Sequence, residues 1–377
     1  MNSLGFNKEC KDTKVVVAMS GGVDSSVAAV MLKKEGFDVT GITLNLYSQT
    51  SSKSSKSCCA GKDINDAKEV ANQYGFPHIT LDYQDKFYEG VIENFVDSYA
   101  SGETPVPCIQ CNQTVKFRDL LSEAKKLNAD TLVTGHYVRR SKDIFNAKLF
   151  KAKDEKKDQS YFLFATLQEQ LDYLRFPLGN FLKSEIRDMA KNFNLPVKDK
   201  PDSQDICFVT SKSYRDLLQK LKPELIKEGN IVDINGKIIG KHKGIANYTI
   251  GQRRGIGVSG SDSPLYVIDV NKEKNEIVLG EQSLLKKTVI ELNNINWLDS
   301  EISKKNLRCS AKIRSTQKEN PGTLNIFSDS AEFIFDSSIL TTSLKYKAVP
   351  YFWIVGLLSY RSSCAIAIIQ NIGRHHE

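Results

Sequence analysis

The N-terminal segment Met1 to Cys10 has no apolar leader, and no apolar run in the chain approaches the ~20 residues that span a bilayer. Secretion and membrane insertion therefore have no support in the sequence. Internal repeats are absent too. Neither sign of charge dominates: a formal +7 over 377 residues permits a nucleic-acid partner without requiring one. With 40% hydrophobic and 26% charged residues, the composition is that of a folded protein and not of a disordered chain. Its length exceeds what one core usually supports, so two or three domains are expected. Eight cysteines without a leader point to a reducing compartment, where thiols are catalytic, metal-bound or buried. The expected location is the cytoplasm, and the expected state a monomer.

What is present begins with Ser20-Gly21-Gly22-Val23-Asp24-Ser25-Ser26, directly after the apolar run Val15-Val16-Val17-Ala18. A strand turning through two glycines into a helix makes an anion cradle, because backbone amides, hydroxyls and the helix N-terminus all face one point. The spacing is not that of a Walker loop, and the turn lacks the lysine that such a loop sends to the terminal phosphates. It resembles the pyrophosphate loop of the ATP-pyrophosphatase superfamily, whose members split ATP into AMP and pyrophosphate.

The first half of the chain alternates strand and helix. Helices are predicted over 25–35, 63–74, 87–99 and 115–127, and strands over 39–46, 78–81 and 131–134. That pattern predicts a doubly wound parallel sheet binding its ligand at the carboxyl ends of the strands. The Ser/Lys stretch from Ser48 to Ser57 interrupts it as a flexible loop. Glycine-rich short strands follow from Gly229 to Gly257, with Asn235-Gly236 as a hairpin signal, and strand-like segments at 306–313 and 322–327 close the readable part. The expected division is a domain carrying the glycine loop over 1–212, a small β-rich domain over 213–284 and a C-terminal β-barrel over 285–377.

Cys108 and Cys111 form a CxxC in a proline-stiffened loop leading into a helix, and Cys207 lies in Asp205-Ile206-Cys207-Phe208. A thiol near a helix start is expected to have its thiolate stabilised. One CxxC can also be half of a zinc site or two buried small hydrophobes, and the Cys58-Cys59 pair does not have the spacing of a second knuckle. Cys10, Cys58, Cys59, Cys309 and Cys364 read as packing residues.

Six ordered motifs carry a closer resemblance. They are the glycine loop, Thr104 to Asn112 with Lys116-Phe117, Thr134 to Arg140, Lys157 to Leu163, Asp205 to Phe208, and Tyr248 to Gly255. Together, from about Lys14 to Asp336, they resemble the tRNA-specific 2-thiouridylases. The resemblance implies ATP-dependent replacement of the wobble uridine 2-oxygen by sulfur in the tRNAs for lysine, glutamate and glutamine. It implies ATP and Mg2+ as cofactors, with Ala18, Met19, Ser20, Gly21, Gly22, Val23, Asp24, Ser25, Leu44 and Gly135 at the nucleotide and Asp24 facing the metal. Cys207 would receive sulfur as a persulfide from a carrier protein or cysteine desulfurase, and Cys111 would free it, leaving a disulfide. Val106, Pro107, Cys108, His136, Lys157, Asp158, Gln159, Arg314 and Ser315 would touch tRNA.

The chain departs from the family in two places. Val106 and Cys108 stand where Asn and an acid/base Asp are usual, and after Asp336 neither the Pro-Gly-Gln segment nor the terminal triple-glycine strand follows. A reading-frame change near Asp336 would account for the second departure. It would leave the barrel without its closing strand, an apolar Val349 to Leu358 segment prone to aggregate, and a C-terminal region that is poorly ordered and grips the anticodon arm weakly.

Overall fold

The computed structural model describes residues 1–47, 59–100, 105–202, 206–209, 214–258, 263–293, 295–298, 306–328, 330–340, 355–360 and 363–369. The Ser48 to Ser57 loop lies outside them.

The N-terminal part is built on five parallel strands: β1 (Lys14–Ala18), β2 (Asp38–Asn45), β3 (His78–Asp82), β4 (Thr131–Thr134) and β5 (Leu174–Arg175), in the order β3-β2-β1-β4-β5. β1 is apolar at consecutive positions because both faces of the sheet are covered. Val15 and Val17 join one core with α1 (Val23–Lys34), while Val16 joins the opposite core with Ile42, Ile109 and Leu132. The strand order reverses between β1 and β4. Ligands enter such sheets there, beyond the carboxyl ends of the two strands.

The sequence periodicities recover these elements with informative differences. The second long helix, α2, runs over Cys59–Tyr74, so Asp63 lies inside it and not at its cap. The predicted 87–99 helix is split into Gln84–Phe87, a π-helical turn at Tyr88–Ile92 and Glu93–Ala100. The predicted 115–127 helix starts earlier, as α3 (Pro107–Cys111), continues as a second π-helical stretch over Asn112–Asp119, and ends as Leu120–Lys126. Wide turns of this kind are frequent at functional sites, and hydrophobic spacing does not reveal them.

The small β-rich region pairs Gly229–Val232 with Ile238–His242 across the expected hairpin, where Gly236 adopts φ +82 and Asp233 accepts bonds from the backbone of Asn235 and Lys237. Tyr266–Asn271 and Glu276–Gly280 complete its four-stranded sheet.

The C-terminal region is antiparallel. Ser330–Leu340 lies between Lys286–Asn293 and Asn320–Ile326, so strand pairing continues past Asp336. Val355–Tyr360 and Ser363–Ile369 form a hairpin that adds to Ile295–Trp297. The departing tail thus supplies two strands to a three-stranded sheet, which ends on Val355–Tyr360 among the described residues. Part of the Val349 to Leu358 segment lies outside the described residues.

Candidate active site

The glycine loop connects β1 to α1. Gly21 has φ +69, and a Cβ built on it would stand 2.1 Å from the Asp63 carbonyl oxygen, so only glycine fits. Gly22 caps α1 in an extended conformation with no side-chain cap bond, leaving first-turn amides of the helix for a ligand. The Ser25 hydroxyl folds the loop back, accepting from Ser20 N at 3.1 Å and donating to Gly22 O at 3.3 Å. Register explains how distant residues join this loop. Ala18 pairs with Ile42 and with Thr134, which brings Leu44 and Gly135 just beyond it on either side. A Cβ on Gly135 would lie 2.9 Å from Ser25 N, so the two backbones approach as closely as glycine allows. All ten residues expected at the nucleotide therefore gather at the carboxyl edge of β1, β2 and β4. Met19, Gly21, Val23 and Ser25 are buried there, while Ser20 is exposed.

Asp24 stands in the first turn of α1. Its Oδ1 accepts from the Tyr137 hydroxyl at 2.8 Å and from Lys183 Nζ at 2.7 Å, and its Oδ2 accepts from the same ammonium at 2.7 Å. Among the described residues no three His, Cys, Asp or Glu side chains converge on one point. A single carboxylate beside a phosphate cradle suits Mg2+ carried on phosphates, which typically takes one or two protein carboxylates and fills its remaining positions with phosphate and water.

Sequence reasoning missed the cations around the loop. Lys183 opens α4 (Lys183–Asn192) and also reaches Asp202 Oδ1 at 2.9 Å. Asp202 further receives Lys157 at 2.9 Å and Arg187 at 2.5 Å. Burial works against its charge, but Lys157 and Lys183 hold its carboxyl well below the usual carboxylate range. Lys200 donates to Gly21 O at 2.8 Å and to Asp63 and Asp66 at 2.6 and 2.5 Å, tying the loop to α2. No local signal could have found them, since Lys183 is 159 residues from Asp24.

The thiols form a second centre. Cys111 is the last residue of α3 and is buried in a cluster with Phe87, Phe95, Val115 and Phe208, against which Ile206 packs. Both Cys108 and Cys207 reach solvent. The expectation of a stabilised thiolate is corrected here. Cys111 lies about one turn into a helix that runs on to Lys126, but burial outweighs that position and pushes its thiol up, with Lys116 opposing the shift. Packing pushes the Cys207 thiol up to about 11, Cys111 adding to it and Lys116 opposing. A raised pKa means a protonated thiol at neutrality, so if Cys111 is a nucleophile its attack is expected to accelerate as pH rises, by about tenfold per unit while its thiolate is limiting. A single-turnover pH series with excess persulfide donor checks this; a flat profile would remove Cys111 as the attacking group.

The residues expected at tRNA divide into two sets. Cys108 is exposed, but Pro107 is buried and Val106 only half exposed, so this turn presents mainly the thiol. His136 shares a bond with Thr134 Oγ1 at 2.8 Å and lies edge-on to Phe117 and Phe176. Burial, aided by Lys116, lowers its pKa to about 3, so it is neutral at physiological pH. Asp158 and Gln159 are turned inward, accepting from Ala152 N and Tyr137 N, and Lys157 is paired with Asp202. Arg314 is half-buried beside Tyr161, its guanidinium where a Cβ on Gly251 would touch at 3.3 Å, and its buried Nε has no protein partner among the described residues. Ser315 follows it, half exposed.

Residues 13–211 match the family described as tRNA methyl transferase HUP domain, and residues 215–281 match that described as tRNA methyl transferase PRC-barrel domain. The tRNA-specific 2-thiouridylase MnmA of Paracoccus denitrificans is 50% identical over 328 residues, covering 86% of this chain and 84% of that protein. The Ehrlichia canis protein of the same name is 54% identical over 317 residues, covering 84% and 85%. The chain belongs to the tRNA-specific 2-thiouridylase family. Its solved structural neighbours are looser: a 4-thiouridine synthetase in complex with RNA and ATP aligns with a TM-score of 0.37 at 17% identity, over 56% of this chain and 51% of that one. The assignment therefore stands on the family match and the curated relatives. No helix among the described residues is long and apolar enough to cross a membrane.

Proposed function

We propose that this chain is an ATP-dependent tRNA sulfurtransferase that converts the wobble uridine of lysine, glutamate and glutamine tRNAs to 2-thiouridine. The observation that carries the reading is one polypeptide joining a glycine cradle at the switch point of its sheet to Cys111 and the Ile206–Phe208 segment in one apolar cluster.

The uracil 2-oxygen is a poor leaving group, so it first attacks the α-phosphorus of ATP, and pyrophosphate departs into the cradle lined by the loop amides. Cys207 carries a terminal sulfur delivered as a persulfide. The Cys111 thiolate attacks Cys207 Sγ, and the sulfur–sulfur bond of the persulfide breaks to release hydrosulfide. Hydrosulfide then adds at uracil C2 and AMP leaves with the oxygen. The products are 2-thiouridine, AMP and a Cys111–Cys207 disulfide, which a thiol reductant reopens. Neutral His136, packed against Phe117 and Phe176, contributes shape and no charge to the base pocket. The division at 212 and 284 and a monomer in the cytoplasm belong to the same reading.

The deciding experiment is mass analysis of wobble-position 2-thiouridine in tRNA from cells carrying or lacking this chain. Absence of a difference would leave a tRNA-binding protein or an inactive variant with an altered C-terminus. If tRNA is the partner, binding is expected to weaken steeply with salt through counterion release. Lys241, Lys243, Arg253 and Arg254 are all exposed on the small β-rich region, and neutralising the four together is expected to flatten the salt slope by up to about four units. Affinity independent of salt would favour a small-molecule substrate.

A further inference from the structure

We propose that Lys183 is the phosphate-binding cation of the glycine loop, held on Asp24 and Asp202 until a nucleoside triphosphate takes it. This rests on the ATP reading above and goes beyond it. Ser20 to Ser26 contains no lysine, yet a loop that receives pyrophosphate gains several negative charges. The fold brings one from α4. The Lys183 side chain is only 13% exposed, and its Nζ sits 2.7 Å from both oxygens of Asp24, in the first turn of the helix whose amides form the cradle. Its three protons are accounted for by the two oxygens of Asp24 and one of Asp202.

The surroundings show why this ammonium can change partners. Asp202 keeps Lys157 and Arg187 when Lys183 leaves, so no carboxylate on that side loses all its cations. Lys157, Lys183 and Arg187 face Asp24, Asp202 and Asp154, the last accepting from Lys183 N at 3.0 Å, so the cluster is balanced at rest and an incoming polyphosphate competes with these carboxylates for the ammonium. Lys200, by contrast, is fixed to the Gly21 carbonyl and to two aspartates of α2, which makes it a positioning residue for the loop backbone. Transfer of Lys183 from carboxylate to phosphate oxygens also frees Asp24 to face Mg2+. Asp24 therefore has opposite effects in two conditions. With metal it helps hold the phosphates, and without metal it restrains the lysine that would bind them.

Titration calorimetry of the full chain with inorganic pyrophosphate in chelator, and with ATP and Mg2+, tests this. Lys183→Met is expected to weaken metal-free pyrophosphate binding about tenfold or more, the scale of a lost charge-assisted contact, and Lys183→Arg to restore part of it. Asp24→Asn is expected to strengthen metal-free pyrophosphate binding several-fold while weakening Mg2+-dependent ATP binding, and the gain is expected to vanish in the double variant Asp24→Asn, Lys183→Met. Pyrophosphate affinity unchanged by Lys183→Met, or reduced by Asp24→Asn without metal, would overturn the role of Lys183. Thermal melting and tRNA affinity report whether Lys183→Met folds, and the Asp24→Asn arm stands without it. If wild type and Asp24→Asn bind neither pyrophosphate nor ATP, the nucleotide reading itself fails and this inference falls with it.

Discussion

Serine at Cys207 or at Cys111 is expected to lower tRNA thiolation on the order of a thousandfold or more, because an alcohol neither carries a persulfide nor attacks one. Affinity for tRNA is expected to stay within about twofold, since neither thiol neutralises a phosphate. The two variants differ in what accumulates. With Cys207→Ser no persulfide forms at that position, whereas Cys111→Ser is expected to hold the Cys207 persulfide intact, visible as one added sulfur in the intact-protein mass. Cys108→Ser, at an exposed position one helical turn away, is expected to cost less than either. Substantial thiolation by Cys111→Ser would remove the proposed division of roles.

Gly21→Ala is expected to slow ATP cleavage on the order of a hundredfold. The substitution imposes a left-handed backbone cost of roughly 1–2 kcal/mol, and its Cβ would fall 2.1 Å from a carbonyl oxygen inside α2. That backbone cannot yield without moving the helix, so the loop moves instead and the Lys200 bond to the Gly21 carbonyl breaks. Displacing a positioned cradle by about an ångström costs on the order of a hundredfold in rate. Gly75→Ala separates strain from collision: Gly75 has φ +65 with nothing within 4 Å of the added carbon. It is expected to lower the melting temperature slightly and leave AMP and pyrophosphate release near wild type. Equal ATP cleavage by Gly21→Ala and wild type would show that the loop is not the phosphate cradle.

Both variants act on features legible in the amino-acid sequence. Two glycines between an apolar run and a helix start specify the cradle locally, and the alternation of β1 through β4 with helices specifies the sheet that carries it. The thiols were legible as residues but not as chemistry. Helix-start stabilisation was expected for the CxxC, whereas Cys111, about one turn into its helix, sits inside an aromatic cluster where burial raises its pKa. The π-helical stretch that follows it was hidden as well, because one widened turn barely alters hydrophobic spacing.

The sequence by itself determined the elements, their order, the glycine geometry at Gly21 and the residue types available for phosphate and sulfur chemistry, since each depends on neighbours a few positions apart. Only the tertiary structure decided which charges surround those groups. Lys183 and Lys200 meet the loop across more than 150 residues, Lys183 meets Tyr137 at Asp24, and the tail after Asp336 finds Ile295–Trp297 as a strand partner. The reason is physical. Local backbone preferences act through adjacent residues, whereas ion pairs, burial and strand pairing depend on distance in space, which is set only once the sheet has closed around its switch point.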